Sequence, residues 1–115
     1  MADTILRTRT EFKTKLLAQT EAFTFSVPAG YYIKDIFINN TTANAVTGGI
    51  KVGTTLGDDD VVAAQAVGAN ALTYVPAADI LDRIFSLTAA QILYFDAVTD
   101  FNSASLNVTI ILGKL

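Results

Sequence analysis

Asp58, Asp59 and Asp60 form the densest group of titratable side chains in the sequence. Paired carboxylates can serve as general acid and base, but carboxylates adjacent in one strand or loop point in different directions and do not converge on one reacting atom. The triplet therefore reads as a solvated acidic turn. As a calcium loop it lacks the alternating ligands, the glycine at the sixth position and the glutamate at the twelfth. Those places are held by Ala63 and Ala69. Gly48, Gly49 and Gly53 are not followed by Gly-Lys-Ser/Thr, so they are turn and strand glycines rather than a phosphate loop. Tyr31, Tyr32 and Tyr94 could stack on a sugar ring, which defines one alternative role, a carbohydrate-binding or host-adhesion module.

The residue types that are missing exclude more. The 115 residues contain no histidine, cysteine or tryptophan. That removes Ser-His-Asp and Cys-His nucleophiles, imidazole or thiolate zinc sites and Cys-x-x-Cys redox chemistry. The missing indole also weighs against the carbohydrate alternative. No enzymatic activity, cofactor or metal is expected.

Formal net charge is −3, which argues against nucleic acid as a partner because phosphate neutralisation needs clustered Lys and Arg. The charge is unevenly placed. Arg7, Arg9, Lys13 and Lys15 give residues 1–15 a net +2 and leave the remainder at −5. A basic arm on an acidic body suits contact with further copies of the chain or with an acidic neighbour, and equally a solvated strand whose charges discourage edge pairing. No apolar run resembles a signal-peptide core between Met1 and Phe12, and none approaches the ~18 residues of a membrane helix. Apolar residues nevertheless make up 51% of the chain against 17% charged, so a core or protein interfaces must absorb them.

The elements that must place these residues are strands. From Leu6 to Leu16 the even positions are Leu, Thr and Phe while the odd positions from 7 to 15 are all charged. This is a period of two with one charged face. Leu106, Val108, Ile110 and Leu112 repeat the pattern as a core strand near the other end. Between them Ala22–Val27, Tyr31–Asn39, Gly49–Thr54, Leu72–Val75, Arg83–Leu87 and Gln91–Val98 read as strands separated by turn chemistry. Lys34 and Asp35 interrupt the third of them as a bulge or an ion pair. Residues 61–72 could be helix or strand, and β-branched Val61, Val62 and Val67 favour strand. Pro76 could open a single helical turn. Short strands at intervals of roughly ten residues predict an all-β, antiparallel β-sandwich, jelly-roll-like, with an extended N-terminal arm or strand over residues 1–20 and the sandwich over 21–115.

Ile36-Phe37-Ile38 and Ile92-Leu93-Tyr94-Phe95 are apolar on both faces, as in strands covered on both sides. Phe37, Leu93 and Phe95 are therefore candidate interface residues, together with Arg7, Arg9, Lys13 and Lys15. The run V-P-A-G-Y-Y-I-K-D-I-F-I-N-N-T-T-A-N-A-V-T-G-G-I-K-V-G-T-T from Val27, D-V-V-A-A-Q-A-V-G-A-N-A-L from Asp60 and S-A-S-L-N-V-T-I-I-L from Ser103 resemble small β-sandwich accessory virion proteins of tailed bacteriophages, of head-fibre or capsid-decoration type. The likeness spans about Phe23 to Leu115 and includes no active-site residue. It implies a structural virion protein made in the bacterial host cytoplasm, which binds its own copies, expected as a trimer, and a major capsid or other virion protein.

Overall fold

The computed structural model describes residues 11–115, and Arg7 and Arg9 lie outside that range. Eight strands follow in chain order: β1 Glu11–Gln19, β2 Phe23–Val27, β3 Tyr31–Asn40, β4 Ile50–Gly53, β5 Val62–Gln65, β6 Leu72–Val75, β7 Gln91–Ala97 and β8 Leu106–Lys114. A 3-10 turn at Ala77–Asp79 begins after Pro76, where proline's fixed φ suits a helical start.

The strands form two four-stranded sheets, ordered β1-β8-β3-β6 and β2-β7-β4-β5. The pairs β1–β8, β2–β7, β3–β6 and β4–β5 are all antiparallel. The first half of the chain thus pairs with the second in reverse order, like one long hairpin rolled until β3 meets β8 and β4 meets β7. That connectivity is the eight-stranded jelly roll. Within the segment expected as an arm or strand, residues 11–19 are an integral edge strand of the first sheet.

Alternation decides which side chains fill the space between the sheets. From the first sheet Ile33, Ile36, Ile38, Leu106, Val108, Ile110 and Leu112 face inward, and from the second Val27, Ile50, Val52, Leu93 and Phe95, all buried. In β3 the inward positions change from odd to even because Ile33 pairs with Leu112 and Asp35 with Ile111, which leaves Lys34 as an extra, bulged residue. One inserted residue flips the parity of everything after it, and Ile33 and Ile36 both reach the core as a result. The same bulge lets Lys34 donate a hydrogen bond to Glu11 on β1, an ion pair on the surface.

Two expected strands are shorter than the sequence pattern suggests. Within residues 61–72 the strand is Val62–Gln65, and a loop with Asn70 at positive φ, its amide donating to the Thr42 carbonyl, runs on to Leu72, where β6 begins. Arg83–Leu87 makes a single bridge, Ile84 to Tyr32. The chain then bends because the Ser86 hydroxyl accepts the amides of Thr88 and Ala89, offering the backbone a turn in place of a ladder.

Candidate interface on the outer face of the first sheet

Because paired residues share a face, the registers of the first sheet arrange its solvent side in rows. Lys13 lies beside Ile111 and Asp35. The next row is Lys15, Thr109, Phe37 and Tyr74, one residue from each strand. The third is Asn107, Asn39 and Leu72, extended by Leu17 at the point where β1 bulges and Ala18 takes a positive φ. The Ala18 amide donates to Asn107 Oδ1, which holds the bulge against β8. A depression of about 260 Å³ is lined by Lys15, Leu17, Phe37, Asn39, Leu72, Asn107 and Thr109.

The face combines apolar surface with fixed polar links. Leu17 and Leu72 are each 63% exposed and Tyr74 49%. Phe37 is stacked on Tyr74 with centroids 4.8 Å apart and planes 18° from parallel, a cross-strand aromatic pair. The Tyr74 hydroxyl donates to Asp35 Oδ1 at 2.6 Å. That bond raises the tyrosine's pKa, because losing the proton would break it and leave two anions together. Along β1 the exposed Lys13 and Lys15 make no ion pair among the described residues, whereas Lys34 is engaged by Glu11.

Of the candidate interface residues within the described range, the fold brings Lys13, Lys15 and Phe37 to this one surface. Leu93 and Phe95 go elsewhere. Both are fully buried, with Phe95 stacked on Phe23 at 4.8 Å and Leu93 paired with Phe25. Their apolar surface is consumed between the sheets, so neither can contact another molecule; the outward residues of β7 are Ile92, Tyr94 and Asp96. Leu17, Leu72 and Tyr74 escaped the sequence reading. The consecutive Leu16-Leu17 held a usable signal, since one of two adjacent leucines in an alternating strand must face water.

The tyrosines proposed as sugar platforms do not share a surface. Tyr31 points inward and meets the Phe12 ring edge-on at 5.2 Å. Tyr32 lies on the outer face of the first sheet with the Arg83 guanidinium 5.4 Å from its ring centre, and Tyr94 is on the second sheet. The aspartate triplet is likewise divided. Asp60 turns to Thr54, accepting from its amide at 2.8 Å and its hydroxyl at 2.7 Å. Those bonds favour the carboxylate and lower its pKa. Asn40, the one buried polar residue among those described, accepts from the Thr42 amide and hydroxyl and donates to the carbonyls of Asn44 and Gly68.

No protein-family model matches the chain, and no curated protein does. Among solved structures the fold is similar to the coat protein of tobacco streak virus, with 11% identity over 91% of this chain and 87% of that one, at a TM-score of 0.40. It is similar also to a chain of the cyanophage Pam1 capsid asymmetric unit, with 16% identity over 92% of this chain and 83% of that one, again at 0.40. Likenesses at that TM-score are too slight to decide function.

Proposed function

We propose that this chain is a structural protein of a virus particle, an accessory subunit of a tailed bacteriophage that associates with its own copies and docks on the capsid. The observation that carries the reading is the solvent side of the first sheet. Leu17, Phe37, Leu72 and Tyr74 remain there although the core between the sheets is already filled, and an exposed apolar patch rimmed by polar side chains marks a contact surface. The resemblance of residues 23–115 to accessory virion proteins supports the same role. The jelly roll adds only an analogy of fold, since it recurs in capsid and lectin domains alike. Lys13 and Lys15 would steer the subunit towards acidic neighbours and fix its register more than add raw affinity. In this reading the protein acts by binding and performs no chemical step.

The test is attachment. Capsids of the encoding virus, stripped of this protein, are mixed with the purified chain and sedimented, and mature particles are searched for it by mass spectrometry. Saturable co-sedimentation and a fixed copy number per particle are expected. Absence from particles together with no binding would end the proposal.

A further inference from the structure

The outer face of the first sheet carries charges of opposite sign towards its two edges. On the β1 side stand Lys13 and Lys15. Beyond β6 the chain returns along the same edge, where the Ile33 amide donates to the Arg83 carbonyl and Ile84 bridges Tyr32. That segment brings exposed Asp82, two residues before Ile84. Arg83 is occupied there by the Tyr32 ring and by the Ile33 carbonyl, which its Nε reaches at 3.0 Å. Apolar Leu17, Phe37, Leu72 and Tyr74 share this face with the charges, and Ile84, 60% exposed, shares it with Tyr32.

We infer that this face is closed by the same face of a second copy, related by a two-fold axis parallel to the strands. The inference rests on the self-associating part of the proposed function and gives it a geometry. Side chains leave a sheet along its normal, so only a face-to-face approach removes these apolar groups from water; edge-to-edge pairing would leave them exposed. Charge then selects between the two possible in-plane axes. Rotation about an axis across the strands sets β1 against β1 and lysine against lysine. Rotation about an axis along the strands sets each β1 against the other copy's β6 edge, twice in one isologous contact. Lys13 shares a row with Asp35, close to the level at which Ile33 meets Arg83, and so comes opposite the Asp82 edge of the second copy. Leu17 and Leu72 share the row of Asn107 and Asn39 and come opposite one another across the axis.

The available area is that of a weak dimer. Four strands span about 19 Å and seven residues of β1 about 23 Å, so two apposed faces cover roughly 900 Å² before side-chain relief is counted, below the ~1,200–2,000 Å² of stable specific interfaces and in the range of weak, concentration-dependent association.

Cross-linking tests the axis directly, because the chain has no cysteine of its own. Within one copy Leu17 and Leu72 stand on opposite edge strands, about 14 Å apart across three strand spacings, too far for a disulfide. We expect light scattering to give a dimer mass for the unmodified chain. Leu17→Cys mixed with Leu72→Cys should form a covalent dimer under mild oxidation, while Leu17→Cys alone should not. A monomer, a trimer, or self-cross-linking of Leu17→Cys without capture of Leu72→Cys overturns the inference. Both variants sit at exposed positions, and circular dichroism confirms that they fold. Capsid attachment is measured separately, so a dimer that ignores capsids defeats the proposed function alone, and a subunit that binds capsids but is monomeric in solution defeats this inference alone.

Discussion

The ring of Tyr32 on β3 lies over Gly113 on β8, in the space that a side chain at position 113 would occupy. Gly113 is the interior partner of both β1 and β3, pairing with Glu11 and Tyr32. A glycine in a central strand normally weakens it, and an aromatic neighbour folded over the gap restores cover.

Gly113→Ala must therefore displace the Tyr32 ring and with it the Arg83 guanidinium above. The expected cost is about 1–2 kcal/mol, as for modest overpacking. With Tyr32→Ala already in place the obstruction is gone, and the same substitution should become neutral or stabilising, because alanine loses less conformational entropy than glycine. A double-mutant cycle in urea reads the reversal of sign. Equal effects in both backgrounds would show that the ring does not fill the gap.

Asp60 joins the two ends of the turn between β4 and β5 through its bonds to Thr54. Its pKa in the folded protein lies below the ordinary 3.8, first because of the Thr54 hydroxyl and then the Thr54 amide. A lowered carboxylate pKa contributes stability that is whole above 3.8 and is lost as pH falls through that value towards the folded one. Asp60→Ala should cost about 1 kcal/mol near neutrality, at the low end for hydrogen bonds to a charged group because the site is exposed to water. Urea midpoints of the two proteins should converge well below pH 3.8. A gap that stays constant across that range would assign the loss to something other than the ionised carboxylate.

Asn40 ties two loops to the end of β3 through four hydrogen bonds. Asn40→Ala leaves the Asn44 and Gly68 carbonyls and the Thr42 amide to find other partners. A loss of about 2–3 kcal/mol is expected, typical of a buried polar group removed from a satisfied network. Asn40→Asp keeps the acceptor but turns the donor into a charge facing two carbonyls, so it should be at least as damaging. Chemical denaturation of both variants decides, and a loss below about 0.5 kcal/mol for either would show that the loops are held by other means.

How much of this was legible follows from where period two holds. From Glu11 to Leu16 in β1 and along β8 alternation is unbroken and the sequence alone marks the even positions as one face, which the structure turns inward with Phe12 against Leu112 and Leu16 against Val108. At Lys34 the break in pattern points to a bulge, and the parity change from Ile33 to Ile36 is its consequence. The run Ile92 to Phe95 misleads because four apolar residues look covered on both sides, whereas the fold buries Leu93 and Phe95 and leaves Ile92 47% exposed. The contact face itself was beyond a one-dimensional reading. Lys15, Phe37 and Leu72 become neighbours only through the order β1-β8-β3-β6, which depends on pairings between opposite ends of the chain.

Phe37 and Phe95 test this division most sharply, since their chemistry is the same and their surroundings are not. Phe95 has no exposed surface and is stacked on Phe23. Phe95→Ala should cost about 3–5 kcal/mol, the transfer term plus the cavity left between the sheets. Phe37 meets Tyr74 on one side and the depression on the other. Phe37→Ala gives up a cross-strand aromatic pair worth about 1 kcal/mol or somewhat more and leaves no closed cavity. The first variant should lower the melting temperature strongly whatever the protein concentration. The second should leave the fold intact and weaken self-association, seen as a dimer mass that falls on dilution at higher concentrations than in the unmodified chain. If Phe37→Ala unfolds the protein as severely as Phe95→Ala, the outer face is part of the core's support and not a surface kept for contact.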